Sequence, residues 1–94
     1  MVKYFDWNDQ KNTQLRIERE VCFEDALVAI SDGKLLDVLT HPNTTKYPNQ
    51  MVYVVNINNY IYLVPFVDDG TKIFLKTMYP SRKLTKIYLA GGKL

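Results

Sequence analysis

In the stretch Pro-Ser-Arg-Lys-Leu-Thr-Lys (80–86), two bases follow a residue suited to cap a helix. Ser81 is a good N-cap, and the first turn beyond it carries partial positive charge and unpaired N–H groups. Asp or Glu would be favoured there, yet Arg82 and Lys83 occupy it and Lys86 follows one turn later. Such a placement repels the dipole and would attract an anion. A phosphate is the natural ligand, with Arg82 as a fork donor of two hydrogen bonds. The ordinary reading is a solvated basic face, which Lys83 and Lys86 fit as readily as phosphate contact.

Other residues could act with this group. His41 has the ordinary pKa for acid–base work and opens a loop that also contains Lys46 and Tyr47. Arg19 can stabilise negative charge but, staying protonated, makes a poor proton shuttle. Lys76 shares one strand face with Phe74 and Met78, which suits either a site or protection of a sheet edge. Tyr53 and Tyr79 could stack on bases, or fill a core with their hydroxyls outward.

Charge distribution supports the same region. The net charge of +2 is modest, but residues 1–40 hold eight acids against five Lys or Arg, and residues 41–94 hold two against seven. No acid follows Asp69. Lone Cys22 and lone His41 argue against a disulfide framework or a zinc site, so no metal or cofactor is expected. No apolar run approaches the roughly 20 residues of a membrane helix, and the opening residues lack a signal-peptide pattern. A cytoplasmic location is therefore expected, with no membrane partner.

Ninety-four residues, 47% of them hydrophobic, suit a single domain spanning 1–94. Val2 to Trp7 reads as a short strand, and Asn8 or Asp9 can cap a polar helix over Asp9 to Arg19. In Phe-Glu-Asp-Ala-Leu-Val-Ala-Ile, the positions Phe23, Ala26, Leu27 and Ile30 follow helical spacing, with Gly33 as a left-handed stop. Alternation then predicts strands at 35–40, 51–57, 60–67 and 72–79, with turns at Asn58-Asn59 and Asp68-Asp69-Gly70. Pro65 requires a bulge or an N–H facing away from any partner. Residues 41–50, with two prolines, form a long loop, and Arg82 to about Leu89 a closing helix whose stripe Leu84, Ile87 and Tyr88 packs inward. The expected fold is α+β, in the order β-α-α-β-β-β-β-α, a largely antiparallel sheet with helices on one face.

Residues 5–26 resemble the opening of the BrnT-family toxins. That family pattern is Phe-x-Trp-Asp-x-x-Lys, a polar helix ending in Lys-His-Gly, and a Ser-Phe-Glu-Glu-Ala helix start. Phe5, Trp7, Lys11, Asn12, Phe23, Glu24 and Ala26 fall in register with it. A second match places Arg82 and Thr85 on the family's Ser-Ala-Arg-x-Ala-Thr. Where the family has Lys-His-Gly, this chain has Glu18-Arg19-Glu20, and two positions are inserted near Asp68-Asp69-Gly70.

The resemblance implies a RelE-like fold and a metal-independent endoribonuclease, the toxin of a type II toxin–antitoxin pair. Its partners would be RNA and a separate DNA-binding antitoxin, of ribbon-helix-helix or similar type. Arg82, Arg19 and His41 then become the candidate catalytic residues, and Lys83, Lys86, Lys76 and Lys46 candidate substrate contacts. The alternatives are a protein-interaction module that kept the fold without chemistry, and a nucleic-acid-binding domain without hydrolysis.

Overall fold

The computed structural model describes residues 3–40, 43, 45–47 and 49–90, for Ala90 the backbone only. Strand β1 (Tyr4–Trp7) leads into Asn8, whose backbone is extended and whose side-chain oxygen accepts the Lys11 N–H at 3.0 Å, so starting helix α1 (Asp9–Arg19). Glu20, left-handed at φ 58°, ends it. Along α1 only Asn12 and Leu15 are buried. Ile17 lies about 200° around the helix from Leu15 and is 76% exposed.

Helix α2 (Phe23–Ser31) begins at Cys22, where the Asp25 carboxylate accepts the Cys22 N–H at 3.0 Å. Its stop uses Gly33 at φ 78°, as the spacing predicts. Strands β2 (Leu35–Thr40), β3 (Gln50–Ile57) and β4 (Tyr60–Asp68) then form an antiparallel ladder. Asn58 and Asn59 both take positive φ in the tight β3–β4 turn.

The predicted strand 72–79 is broken in two. Strand β5 (Lys72–Leu75) and strand β6 (Tyr79–Pro80) pair in succession with the same edge of β4. Phe66 faces Leu75 but Leu63 faces Tyr79, so one extra residue is accommodated between them. Pro65 explains the place of the break. Its carbonyl accepts the Lys76 N–H at 2.8 Å, and the nitrogen of the same residue, turned the same way, has no proton to continue the ladder. The bulge sits where a donor is missing.

Strand order across the sheet is β1-β5-β4-β3-β2, with β6 beside β4; β1 and β5 are parallel and the other pairs antiparallel. The α+β class and largely antiparallel sheet agree with expectation, with six strands among the described residues. Helix placement differs from expectation. Leu15, Phe23, Ala26 and Ala29 pack on Tyr53, Val55, Val64 and Phe66, so α1 and α2 cover one face. Helix α3 (Arg82–Thr85) and the π-helical turn Lys86–Ala90 that extends it lie on the other. The Tyr88 hydroxyl donates to Asp37, whose register partner Val54 is buried outside the first cluster. Alternation along β3 turns Val54 away from Tyr53 and Val55, and so demands a second cover. Ile61, also fully buried outside the first cluster, makes the same demand on β4.

The closing stripe shifts with the π-turn. An i to i+5 repeat sets Leu89 over Leu84, so Leu84, Tyr88 and Leu89 are half-buried while Ile87 is 54% exposed. The main core is held by Phe23, Leu15, Leu75 and Met78, all fully buried, each worth roughly 1.5–3 kcal/mol of burial.

Candidate functional site

The stretch Pro80 to Thr85 continues the β4 ladder with side chains once β6 has ended. Ser81 N–H donates to the Ile61 carbonyl at 2.9 Å, and Ile61 N–H donates to Thr85 Oγ1 at 2.9 Å. Thr85 Oγ1 in turn donates to the Ser81 carbonyl at 2.7 Å, and Ser81 Oγ caps the helix by accepting the Leu84 N–H at 3.1 Å. Ser81 and Thr85 thereby satisfy both backbone groups of buried Ile61. Arg82 and Lys83, between them, are held at the surface with no structural duty of their own.

Arg19 reaches this strand edge from the opposite face. Its Nη1 donates to the Met78 carbonyl at 2.9 Å, at the bulge that precedes β6. Four residues separate Met78 from Arg82, so an extended chain keeps their Cα atoms within about 13 Å. Lys76, exposed, leaves the same bulge. Lys76, Arg82, Lys83 and Lys86 thus follow one another along the segment that Arg19 contacts at Met78. Among the described residues none of the five makes an ion pair. Lys72, by contrast, is neutralised by Asp6 at 3.2 Å.

One sequence-predicted residue does not join this group. Lys46 lies in the loop before β3, where Gln50 pairs with Val67, whereas α3 is anchored at Ile61. Six residues of β4 separate those ends, about 20 Å, and the Lys46 ammonium sits 5.4 Å from the centre of the Tyr47 ring. His41 lies outside the described residues. Tyr53 is also removed as a base platform, because it is buried and stacked on Phe66 at 4.0 Å. Tyr79 is 38% exposed on β6 and keeps an open ring.

Tyr62 belongs to the site although its chemistry was not singled out from sequence. It pairs with Pro80 and meets Tyr60 edge-on at 6.1 Å. Burial first, then Tyr60, push its hydroxyl above the ordinary tyrosine value, while Arg19 pulls the other way. That shift favours the neutral hydroxyl. The only sequence signal is the Tyr-x-Tyr spacing, which places both rings on one strand face.

Of the residues in 5–26 shared with the toxin pattern, Trp7, Asn12, Phe23 and Glu24 meet elsewhere, at the junction of α1 and α2. Asn12 Oδ1 accepts the Phe23 N–H at 2.7 Å, and its Nδ2 donates to Glu24 at 2.8 Å. Trp7 packs on Phe23 with ring centres 5.6 Å apart. These contacts orient the two helices and carry no reactive group. Among the described residues no three His, Cys, Asp or Glu side chains come together as a metal site, and no helix is long and apolar enough to cross a membrane. No protein-family model, curated protein or solved structure matches the chain.

Proposed function

We propose that this domain is an RNA-cleaving toxin of BrnT-like, RelE-like type, acting in the cytoplasm and neutralised by a separate DNA-binding antitoxin chain. The observation that carries the reading is the run of bases Lys76, Arg82 and Lys83 along the segment that Arg19 contacts at Met78, none of them ion-paired among the described residues. The order and spacing of the residues resembling the toxin pattern support it independently.

In the proposed reaction the 2′-hydroxyl loses its proton to water and its oxygen attacks the adjacent phosphorus as the bond to the 5′-oxygen breaks, and a proton from water completes the 5′-hydroxyl, leaving a cyclic phosphate. Arg82 holds the scissile phosphate and stabilises charge growing on its oxygens. Lys83, Lys86 and Lys76 neutralise flanking phosphates, and the Tyr79 ring offers a base a stacking surface. Arg19 fixes the bulge through the Met78 carbonyl.

A binding-only module is the second reading, and Arg19 is the observation that favours it. It stands where the toxin pattern has histidine, and it cannot pass a proton. Expression of the wild-type chain, with RNA cleavage assayed in a metal chelator, separates the two. Growth arrest with cleavage, both abolished by Arg82→Ala in a folded protein, supports the enzyme. Harmless expression and intact RNA remove it, and retained RNA binding would then establish the module.

A further inference from the structure

The sheet ends on one side at β2 and on the other at β1, and both edges carry the same device, independent of the RNA reading. The β3–β4 hairpin fixes which backbone groups of β2 point outward. Its two-residue turn is closed by the pair Ile57 and Tyr60, so Ile57, Val55, Tyr53 and Met51 aim their N–H and C=O groups at β4. Val38 and Thr40, opposite Tyr53 and Met51, therefore aim theirs away from β3. The Val38 N–H does not stay open, because Asp37 Oδ1 accepts it at 2.8 Å. The other oxygen of Asp37 is held from the closing helix by the Tyr88 hydroxyl at 3.0 Å. On β1, Asp6 Oδ1 accepts the Trp7 N–H at 2.9 Å while its second oxygen is held by Lys72 at 3.2 Å. Lys76 donates to Pro65 on β4, so Leu75 aims at β1, and a parallel ladder joins it to the neighbours of its register partner Trp7 and not to Trp7 itself. Each edge thus gives one outward donor to the preceding aspartate.

We propose that Asp37 guards a latent self-association edge, and that the occupant it excludes is β2 of a second copy. Residues 36–40 are all exposed, Leu36, Val38 and Leu39 at 38–39%, and the strand holds no Lys or Pro, the residues that commonly protect an edge. The bulge between Leu35 and Asp37 limits regular pairing to the Val38–Thr40 end. That segment is complementary to itself. An antiparallel two-fold through Leu39 sets Val38 of each copy against Thr40 of the other as a hydrogen-bonded pair, and brings the two Leu39 side chains together at the axis. The only charge on the strand, Asp37, then lies about 13 Å along the strands from its copy, so no like charges oppose. With its N–H taken by Asp37, Val38 cannot donate to Thr40 of the second copy, and the pairing loses a bond at both symmetric positions. So short a strand contact falls well below the roughly 800 Å² per partner of a stable dimer, and one blocked donor decides whether it forms.

Sedimentation equilibrium of the full chain, up to about 1 mM, measures this. The wild type is expected at the 11.0 kDa of one chain. Asp37→Ala should dimerise at least roughly tenfold more tightly, since a donor is restored at two symmetric positions. Asp37→Asn loses the charge but keeps an acceptor for the Val38 N–H, and should stay with wild type. In the Asp37→Ala background, Leu39→Lys sets like charges at the axis and Val38→Pro removes the outward N–H, and each should restore the monomer. Amide exchange supplies a readout that needs no variant: in the wild type Val38 should exchange more slowly than Thr40, although both point outward. Equal rates there, or an Asp37→Ala chain as monomeric as wild type, would overturn the proposal. Asp37→Asn dimerising like Asp37→Ala would assign the effect to charge and overturn the cap. Association untouched by Leu39→Lys would place it on another surface and overturn the edge.

Discussion

Arg19 and Met78, 59 residues apart in the chain, are joined by a hydrogen bond of 2.9 Å from the guanidinium to the backbone carbonyl. The contact ties the end of α1 to the bulge between β5 and β6, and therefore to the segment that presents Arg82. Arg19 acts on this edge through the backbone as well as through its charge.

Replacing Arg19 by Ala is expected to destabilise the fold by about 1 kcal/mol, read from urea unfolding, because the Met78 carbonyl loses a charged donor at a partly exposed site. Arg19→Lys should recover part of that loss. Faster amide exchange at Tyr79 and Ser81 in Arg19→Ala would locate the effect at the bulge.

Arg82→Ala should leave unfolding free energy within about 0.5 kcal/mol of wild type, since the side chain is exposed and unpaired. RNA cleavage, by contrast, should fall on the order of 10²–10³-fold, the usual loss for one preorganised charge donor. Equal loss of stability and activity would assign Arg82 to the fold.

Thr85→Val keeps side-chain size but strands the Ile61 N–H. A cost of about 1–3 kcal/mol is expected, with the largest loss of exchange protection at Ile61 itself. Ser81→Ala should cost about 1 kcal/mol as a lost helix cap.

Acid sensitivity should trace partly to Glu24. The Asn12 amide first, then the backbone N–H of Glu24 itself, hold its carboxyl below the ordinary range, with smaller help from Cys22 and Arg16. A folded pKa below the unfolded value stabilises the protein above about pH 4.3 and ceases to do so as pH falls through the folded value. Stability measured against pH should therefore decline more steeply below about pH 4.3 in wild type than in Glu24→Gln.

The sequence made local features readable and hid those set by distant neighbours. Helix α1 and strand β2 fall on their expected boundaries because Asn8, the polar spacing and the alternation of Leu35–Thr40 are signals carried within each element. The break between β5 and β6 is different. Lys72 to Tyr79 contains no Gly or Pro to mark a break, and its cause, Pro65, stands on another strand. The side taken by α3 was hidden for a similar reason, since Val54 and Ile61 need cover only once their strands are assembled. At the site, Arg82 and Lys83 stood out as bases behind a cap, whereas the reach of Arg19 to Met78 crosses most of the chain. Lys46 was grouped with the site by charge, and strand length separates it.

Strand β1 has a consequence for how the chain acquires its shape during synthesis. Its only ladder partner among the described residues is β5, and the Asp6–Lys72 contact spans 66 residues. At about 5–20 residues per second, a ribosome leaves Phe5 and Trp7 without that strand partner for roughly 3–13 s. Closure of this edge of the sheet must await synthesis of β5, and the distant pairing should slow folding.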